Sequence, residues 1–228
     1  MQPYFFPYIG YFQLINAVDE FVVYDNIEFT KKGWINRNRI LVNGSDSLFS
    51  LPIKKASDFL HIKDRFLADT WGVEKIKMLN RISESYRKAP YFSETYDLIE
   101  RCLKFEDGNL FNFIFNSIQE VIQYLNIDTK LFISSSLNIE HNLKSDQKVM
   151  AICKVRGADK YLNPIGGLDL YDKEKFMKNN IELHFLNSNQ NSYLQFNNEF
   201  IPSLSIIDVM MFNSKGQLKQ HLNNYVLI

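Results

Sequence analysis

Two carboxylates of the sequence, Asp25 and Asp208, are candidates for proton transfer in a catalytic site. Asp25 ends the run "EFVVYD", whose β-branched and aromatic residues predict a buried strand. Asp208 interrupts "SIIDVMMF", an apolar stretch that predicts a helix opened by Ser203 or Ser205. A carboxylate that points into a cleft can accept a proton, and a solvated helix face is the favoured alternative for Asp208. We take both as candidate catalytic residues.

A basic and aromatic segment, "TKKGWINRNRI", is a candidate site for an anionic ligand. If it is extended, Lys32, Trp34 and Asn36 share one face and Arg37 lies on the other. Guanidinium groups form paired bonds to phosphate or carboxylate, aromatic rings stack on sugars, and amides bond to hydroxyls. A solvated edge strand is an equally consistent alternative.

Glycine and proline are concentrated in the opening "MQPYFFPYIGYF" and in "NPIGG". The pair Gly166-Gly167 lets backbone amides approach a ligand, and a following helix start favours phosphate or carboxylate. An ordinary turn is the alternative for "NPIGG". Neither stretch has the spacing of GxGxxG or of a Walker loop. The tail adds a polar cluster that includes Asn198 and Glu199.

Several classes of chemistry have no support. The chain lacks a GxSxG nucleophile motif, and its four histidines never approach HxxxH spacing, so no metal site is predicted. Cys102 and Cys153 lie in apolar helical patterns and are interpreted as buried thiols. Lys plus Arg equals Asp plus Glu at 26 each, which predicts no nucleic-acid partner. With no apolar run of about 18 residues and no signal peptide, the expected location is the cytoplasm.

The elements that must position these residues predict an α/β fold in one domain, 1–228. Residues 1–70 and 127–228 alternate strands with helices, which is typical of a parallel sheet. Residues 71–126 carry apolar residues at helical spacing, broken at Pro90 and Gly108, and predict a helical segment. Ligands bind beyond the carboxyl ends of parallel strands, where we expect the opening and "NPIGG" to lie.

Three blocks carry a resemblance to a known family: "MQPYFFPYIGYFQLINAVDEFVVYDNIEFTKKGWINRNRIL", "KYLNPIGGLDLY" and "QFNNEFIPSLSIIDVMMFNS". They closely resemble the WbqC-like family of bacterial proteins, and the resemblance runs essentially from end to end. It implies a role in O-antigen or other surface-polysaccharide biosynthesis, with transfer of glycine or a similar amino acid onto an amino sugar as the suggested activity.

The opening also resembles, more distantly, the nucleotidylyltransferase-type fold, in which a strand runs into P-x-x-G-H at a helix start. That resemblance implies a Rossmann-like parallel-sheet core, although Tyr11 replaces the His and weighs against adenylyl transfer. Family members carry a short apolar strand before the block that begins at Gln2. We therefore expect the core to lack its first strand, and N-terminal truncation is favoured over compensation elsewhere in the chain.

The leading hypothesis is an acyl or aminoacyl transferase for a nucleotide-linked amino sugar. Arg37 and Lys32 would hold the diphosphate, Trp34 and Tyr11 would line the sugar pocket, and Asp25 or Asp208 would take up a proton. A nucleotidyltransferase and a non-catalytic sugar-nucleotide-binding or scaffold protein are the alternatives. No cofactor or oligomeric state is assigned. The predicted substrate-binding residues are Gln2, Tyr4, Gly10, Tyr11, Lys32, Trp34, Asn36, Arg37, Asn163, Gly166, Gly167, Asn198 and Glu199.

Overall fold

A computed structural model describes residues 1–189 and 191–228. Helices and strands alternate at both ends of the chain, and helices alone fill the middle. In chain order the elements are α1 (Ile9–Asn16), β1 (Glu20–Val23), β2 (Arg37–Val42), β3 (Ser45–Ser50), α2 (Trp71–Tyr86), α3 (Phe92–Leu103), α4 (Leu110–Leu125), β4 (Lys130–Ile133), α5 (Ser145–Arg156), β5 (Lys160–Pro164), α6 (Lys173–Met177), β6 (Glu182–Ser188), α7 (Ile206–Phe212), α8 (Lys215–Leu222) and β7 (Tyr225–Leu227).

Parallel strands occur in two separate sheets. β1 pairs with β4 in parallel, with Glu20 opposite Lys130 and Val23 opposite Ile133. The second sheet has the order β5-β6-β7, in which β5 and β6 are parallel and β7 is antiparallel to β6. The prediction of an α/β fold with parallel strands is therefore confirmed. The Rossmann-like arrangement and the missing first strand stay predictions.

The opening segment follows the edge of β1 that faces away from β4. The backbone N–H of Tyr24 donates to Met1 O at 2.8 Å, and the Met1 amino group donates to Val22 O at 2.7 Å. Burial lowers the pKa of that amino group to about 5. These two bonds have the pattern of a parallel ladder, so Gln2 continues beside Tyr24 toward the carboxyl end of β1.

The rings of the opening are divided between core and surface. Phe5, Phe6 and Phe12 are almost completely buried, and burial of each ring contributes about 1.5–3 kcal/mol. Phe6 adopts a left-handed φ of 42°, a strained conformation for a bulky residue. Its carbonyl accepts hydrogen bonds from Asn38 Nδ2 at 2.8 Å and Ser205 Oγ at 2.7 Å, which hold the strained backbone in place.

β2 and β3 form an antiparallel hairpin across the turn Asn43-Gly44. Both turn residues have positive φ, 50° and 77°, as the Asn-Gly pair predicts. The preceding residues 31–36 form a turn instead of the strand considered above, because the N–H of Gly33 bonds to Thr30 O at 2.9 Å. The assignment of alternate faces to that segment is therefore wrong before β2 begins at Arg37.

The helices α2, α3 and α4 lie within the predicted helical segment, 71–126. α4 ends at Asn126, whose φ of 53° and ψ of 50° give the left-handed end conformation common after helices. Their inward faces are apolar, and α3 packs between α4 and α7. None of the helices in the two described ranges is long and apolar enough to cross a membrane.

Most buried apolar residues belong to one core, formed by the opening, the helices α1 to α4 and the tail helices α7 and α8. A smaller cluster lies between α5, α6 and the β5-β6 pair and includes Cys153 and Phe176. Cys102 and Cys153 are buried free thiols, as predicted. Burial raises the pKa of Cys153 to about 11, so this thiol is protonated and a poor nucleophile at neutral pH.

Candidate functional site

A polar cluster closes the carboxyl ends of β1 and β4. Asp25, which is 3% exposed, follows β1, and Ser134 and Ser135 follow β4. Asp25 Oδ1 accepts hydrogen bonds from Ser134 Oγ and from the Ser135 backbone N–H, both at 2.9 Å. Ser135 Oγ donates to the other carboxylate oxygen. Because β1 and β4 are parallel and in register, these side chains meet at one edge of the sheet.

Lys148 enters the same cluster from α5. It is 8% exposed, and its Nζ lies 3.3 Å from Asn26 Oδ1 and 5.3 Å from the centre of the Tyr24 ring. Burial lowers the pKa of this amine, and the nearby negative charge of Asp25 acts in the opposite direction. The side chain is therefore a buried amine that sits beside a carboxylate.

The far end of α5 is fixed to the sheet by a paired ion contact. Arg156 Nε and Nη2 each lie 2.8 Å from a carboxylate oxygen of Glu20, at the start of β1. The guanidinium carbon also lies 3.9 Å from the centre of the Phe132 ring in β4. The hydrogen bonds from Arg156 lower the pKa of Glu20. This contact orients α5 so that its first turns, including Lys148, face the cluster.

Asn26 lies between the buried cluster and the exposed His141. Its Oδ1 lies 2.6 Å from Ser134 Oγ, and its Nδ2 donates to Nδ1 of the exposed His141 at 3.1 Å. Ser134 has one proton, so it donates to either Asn26 or Asp25 at a given moment. Asn26 therefore orders the serine and lysine side chains around the carboxylate.

Tyrosines form the wall between this cluster and the loop after β5. Burial raises the pKa of Tyr24 and Tyr161, and the charge of Tyr171 adds to the rise at both. The rings of Tyr161 and Tyr171 meet edge to face with centres 6.0 Å apart. Tyr24, Tyr161 and Tyr171 therefore lie near one another.

The last part of β5 and the helical turn that follows it contain the predicted residues Asn163, Gly166 and Gly167. Asn163 Oδ1 accepts a hydrogen bond from Tyr161 OH at 3.0 Å. A Cβ added to Gly167 would lie 1.9 Å from Asn163 Nδ2, whereas one added to Gly166 would meet nothing within 4 Å. The absent side chain at Gly167 thus makes room for Asn163, and only Gly166 faces open space.

The predicted residues of the opening lie together. Tyr11 OH donates to Gln2 O at 3.0 Å, and Tyr4 OH donates to Gln2 Oε1 at 3.2 Å. Tyr11 is 2% exposed and belongs to the core, while Tyr4 and Tyr8 are half-buried. The Tyr8 ring packs over Gly10, where an added Cβ would come within 2.4 Å of it. The surface of the opening is therefore made by Gln2, Tyr4 and Tyr8.

The basic and aromatic segment 30–40, called the basic loop below, bonds partly to its own backbone. Arg37 Nε donates to Gly33 O at 2.9 Å, and its Nη2 donates to Lys32 O. Trp34 is 44% exposed, with the guanidinium carbon of Arg37 5.8 Å from its ring centre. Asn36 Nδ2 donates to Leu51 O at 2.8 Å. The guanidinium carbon of Arg39 lies 5.7 Å from the same ring centre, so Trp34 is partly exposed beside two arginines, and two donors of Arg37 bond to the loop itself.

The remaining predicted residues belong to the tail. Asp208 is completely buried and accepts hydrogen bonds from Tyr86, Tyr193 and Gln195. Asn198 Nδ2 donates to Gln195 O at 3.1 Å, and Asn198 and the neighbouring Glu199 are exposed. Asp208 shares no bonding partner with Asp25, so the two candidate carboxylates belong to different networks.

The comparisons with known proteins cover nearly the whole chain. Residues 2–220 match the WbqC-like protein family. The chain belongs to this family. A Mycobacterium tuberculosis (strain ATCC 25618 / H37Rv) protein named "Uncharacterized protein Rv1507c" is 27% identical to this WbqC-like chain over 225 residues, which cover 97% of this chain and 95% of that protein. No solved structure matches the chain.

Sequence reasoning missed most of the cluster around Asp25 in this WbqC-like chain. The run "TKLFISSS" predicts a strand, and Ser134 and Ser135 stand near its end, so the rule that parallel strands end at one edge could have found them. The place of Lys148 in the cluster depends on the orientation of α5, which no local pattern gives, whereas Asn26 simply follows Asp25 in the chain. Within residues 1–189 and 191–228, no group of three His, Cys, Asp or Glu side chains could hold a metal ion.

Proposed function

We propose that this WbqC-like protein is an acyl or aminoacyl transferase that acts on a nucleotide-linked amino sugar in the cytoplasm. The observation that carries the proposal is the carboxylate of Asp25, hydrogen-bonded to Ser135 beside the buried amine of Lys148, at the carboxyl ends of parallel strands. The family resemblance supports O-antigen or another surface polysaccharide as the pathway and glycine as one amino acid to test.

Acyl transfer to an amine needs a proton acceptor and a positive group. The sugar amine attacks the activated carboxyl carbon, the new C–N bond forms, and the attacking nitrogen becomes acidic. Asp25 accepts its proton, either directly or through the Ser135 hydroxyl, and the bond to the leaving group then breaks. Lys148 supplies positive charge to the carbonyl oxygen, on which negative charge develops. Both groups are already desolvated, which strengthens their electrostatic effect.

The proposal places the ligand along the edge that these residues share. Gln2, Tyr4 and Tyr8 on one side and Tyr171 on the other would flank the sugar, and the loop from Asn163 to Gly167 would contact it through the backbone at Gly166. A Rossmann-like core of the nucleotidylyltransferase type remains part of this proposal. Trp34, Lys32, Asn36 and Arg37 are retained as contacts to the nucleotide, and Asn198 and Glu199 as outer polar contacts. Asp208 we assign to holding the fold.

The direct test is turnover. The purified protein is incubated with a nucleotide-linked 4-amino sugar, glycine and ATP, and then with acyl thioester donors, and the sugar is weighed by mass spectrometry. We expect acylated sugar with one donor class and a loss of about 10²-fold or more in rate for Asp25→Asn, as for removal of a general base. Absence of acylated sugar with every donor would contradict the proposal.

Two serine variants provide a matched pair. Ser135→Ala removes the hydroxyl that donates to Asp25, whereas Ser136→Ala removes an exposed hydroxyl that donates to Ile133 O in the same turn. We expect the first variant to lose rate and the second to keep it, with both remaining folded by circular dichroism. Equal rates in the two variants would remove Ser135 from the mechanism. Binding of the nucleotide-linked sugar without turnover would favour the non-catalytic alternative.

A further inference from the structure

A separate groove opens where the basic loop meets the segment that follows β3. It has a volume of about 530 Å³ and is lined by Phe29, Lys31, Asn36, Ile53, Lys54, Lys55, Ala56 and Arg65. Its lining includes four cations, of which Lys31 and Lys54 pair with Asp58 and Asp69. The whole chain has equal numbers of acidic and basic residues, so this is a local concentration of positive charge.

Arg65 is the unusual member of this wall. It is 3% exposed, and its guanidinium makes one hydrogen bond, from Nη2 to Ser57 O at 2.7 Å. Its buried Nε has no hydrogen-bond partner in the described parts of the chain, and no carboxylate there pairs with the guanidinium. A buried cation without a partner is costly, so proteins normally pair or coordinate such groups.

The position of Arg65 is fixed by its surroundings. Its backbone carbonyl accepts a hydrogen bond from Leu110 N at 2.8 Å, and its guanidinium carbon lies 4.5 Å from the centre of the Phe29 ring. The guanidinium is therefore held in place without a carboxylate, and Arg65 is one of the residues that line the groove.

The lysines around it are free to respond to a ligand. Lys31 and Lys54 pair with Asp58 and Asp69 at 2.8 and 2.7 Å, but these pairs are exposed. Exposed ion pairs contribute little to stability and rearrange easily. Lys55 is exposed and has no ion pair among the described residues.

We propose that this groove binds a phosphate group, with Arg65 at its base and Lys54 and Lys55 at its rim. Guanidinium and ammonium groups are the usual partners of phosphate oxygens, and the volume is within the range of small-ligand sites. The apolar floor formed by Phe29, Ile53 and Ala56 accommodates an uncharged part attached to the phosphate. This site goes beyond the proposed reaction, and its test needs no turnover.

The groove is close enough to the Asp25 cluster for one ligand to reach both. Asp25 and Phe29 are four residues apart, which limits their separation to about 14 Å even in a fully extended chain. Lys63 N bonds to Asp25 O at 3.1 Å, and Phe29 N bonds to Leu60 O at 3.3 Å, which holds this segment against residues 60–63. The phosphate comes either from a nucleotide-linked ligand that spans both places or from a smaller phosphorylated molecule.

The test is calorimetric titration at low ionic strength with inorganic pyrophosphate, a nucleoside diphosphate and the uncharged nucleoside. We expect both phosphates to bind, the nucleoside alone to fail, and affinity to fall as salt is raised. A nucleoside diphosphate that binds at least about tenfold more tightly than pyrophosphate identifies the spanning ligand, and equal affinities identify the smaller one. Absence of binding by both phosphates overturns the proposal.

Three variants locate the binding. Lys55→Gln should weaken pyrophosphate about tenfold, and Lys219→Gln, which removes an exposed lysine on α8, should leave it unchanged. Arg65→Met should abolish binding while the unliganded protein keeps or gains thermal stability, because the variant removes an unpaired buried charge. A lower melting temperature with unchanged pyrophosphate affinity in Arg65→Met overturns the proposal. If that variant fails to fold, equal affinities of Lys55→Gln and Lys219→Gln overturn it instead.

Discussion

Asp208 is the best place to separate a structural carboxylate from a catalytic one. Its Oδ2 accepts a hydrogen bond from Tyr86 OH at 2.8 Å, and its Oδ1 accepts from Tyr193 OH at 2.6 Å and Gln195 Nε2 at 2.7 Å. Tyr86 OH in turn accepts from Leu41 N at 2.8 Å. The carboxylate therefore connects α7 to α2, to β2 and to the segment that precedes α7.

The size of the effect follows from these three bonds. A hydrogen bond to a charged acceptor contributes about 1.5–3 kcal/mol, and a buried donor left without a partner costs about 1–3 kcal/mol. Burial raises the pKa of Asp208, so part of the gain is offset by desolvation of the carboxylate. We expect Asp208→Ala to lower the free energy of unfolding by about 3–5 kcal/mol and Asp208→Asn by about 1–3 kcal/mol, since the amide replaces only one acceptor oxygen.

Urea unfolding followed by circular dichroism measures this free energy. The matched control is Asp97→Asn, which alters an exposed carboxylate on α3 and should change stability by less than about 0.5 kcal/mol. A double-mutant cycle with Tyr193→Phe should give a coupling of at least about 1 kcal/mol if the bond from Tyr193 is part of the network. The reasoning fails if Asp208→Asn is as stable as the parent protein and loses only ligand binding or turnover.

Two further predictions concern pH and packing. Burial lowers the pKa of His221, whose Nε2 lies 3.1 Å from Asn213 Oδ1. Below pH 6.5, the ordinary pKa of this side chain, His221 is therefore protonated more readily in the unfolded chain than in the folded protein. Stability should therefore fall from about pH 6.5 downward by as much as about 1.4 kcal/mol per pH unit in urea titrations, and His221→Gln should flatten this slope. Gly167→Ala should displace the Asn163 side chain, break its bond to Tyr161 and lower stability by about 1–2 kcal/mol, whereas Gly166→Ala in open space should be neutral or slightly stabilising. Equal thermal stabilities of the two alanine variants would contradict this explanation of the glycine pair.

Short sequence patterns predicted those turns and strand ends that depend on neighbouring residues alone. Asn43-Gly44 supplies two residues that tolerate positive φ, so its turn could be identified from two letters. The turn at Thr30 to Gly33 was not predicted, because its extended alternative had an equally plausible side-chain pattern. Asp25 could be found because it ends a strand.

The burial of Asp208 could not be predicted in the same way. Its apolar neighbours on α7 predicted a helix with one solvated position, yet Tyr86, which bonds to it, is 122 residues away along the chain. A partner so distant in sequence leaves no trace in the spacing of a helix. The same limit applies to Lys148, whose position depends on the contact between Arg156 and Glu20 at the other end of α5.

The buried carboxylates and the buried cations of the protein differ in how many hydrogen bonds they make. The carboxylates of Asp25 and Asp208 are both surrounded by hydroxyl and N–H donors. The buried cations differ: within the described ranges Lys148 Nζ makes one hydrogen bond, to Asn26, and the guanidinium of Arg65 makes one, to Ser57. Since each can donate several more hydrogen bonds, both groups favour a ligand that brings acceptors. The phosphorylated ligands proposed above would supply such acceptors.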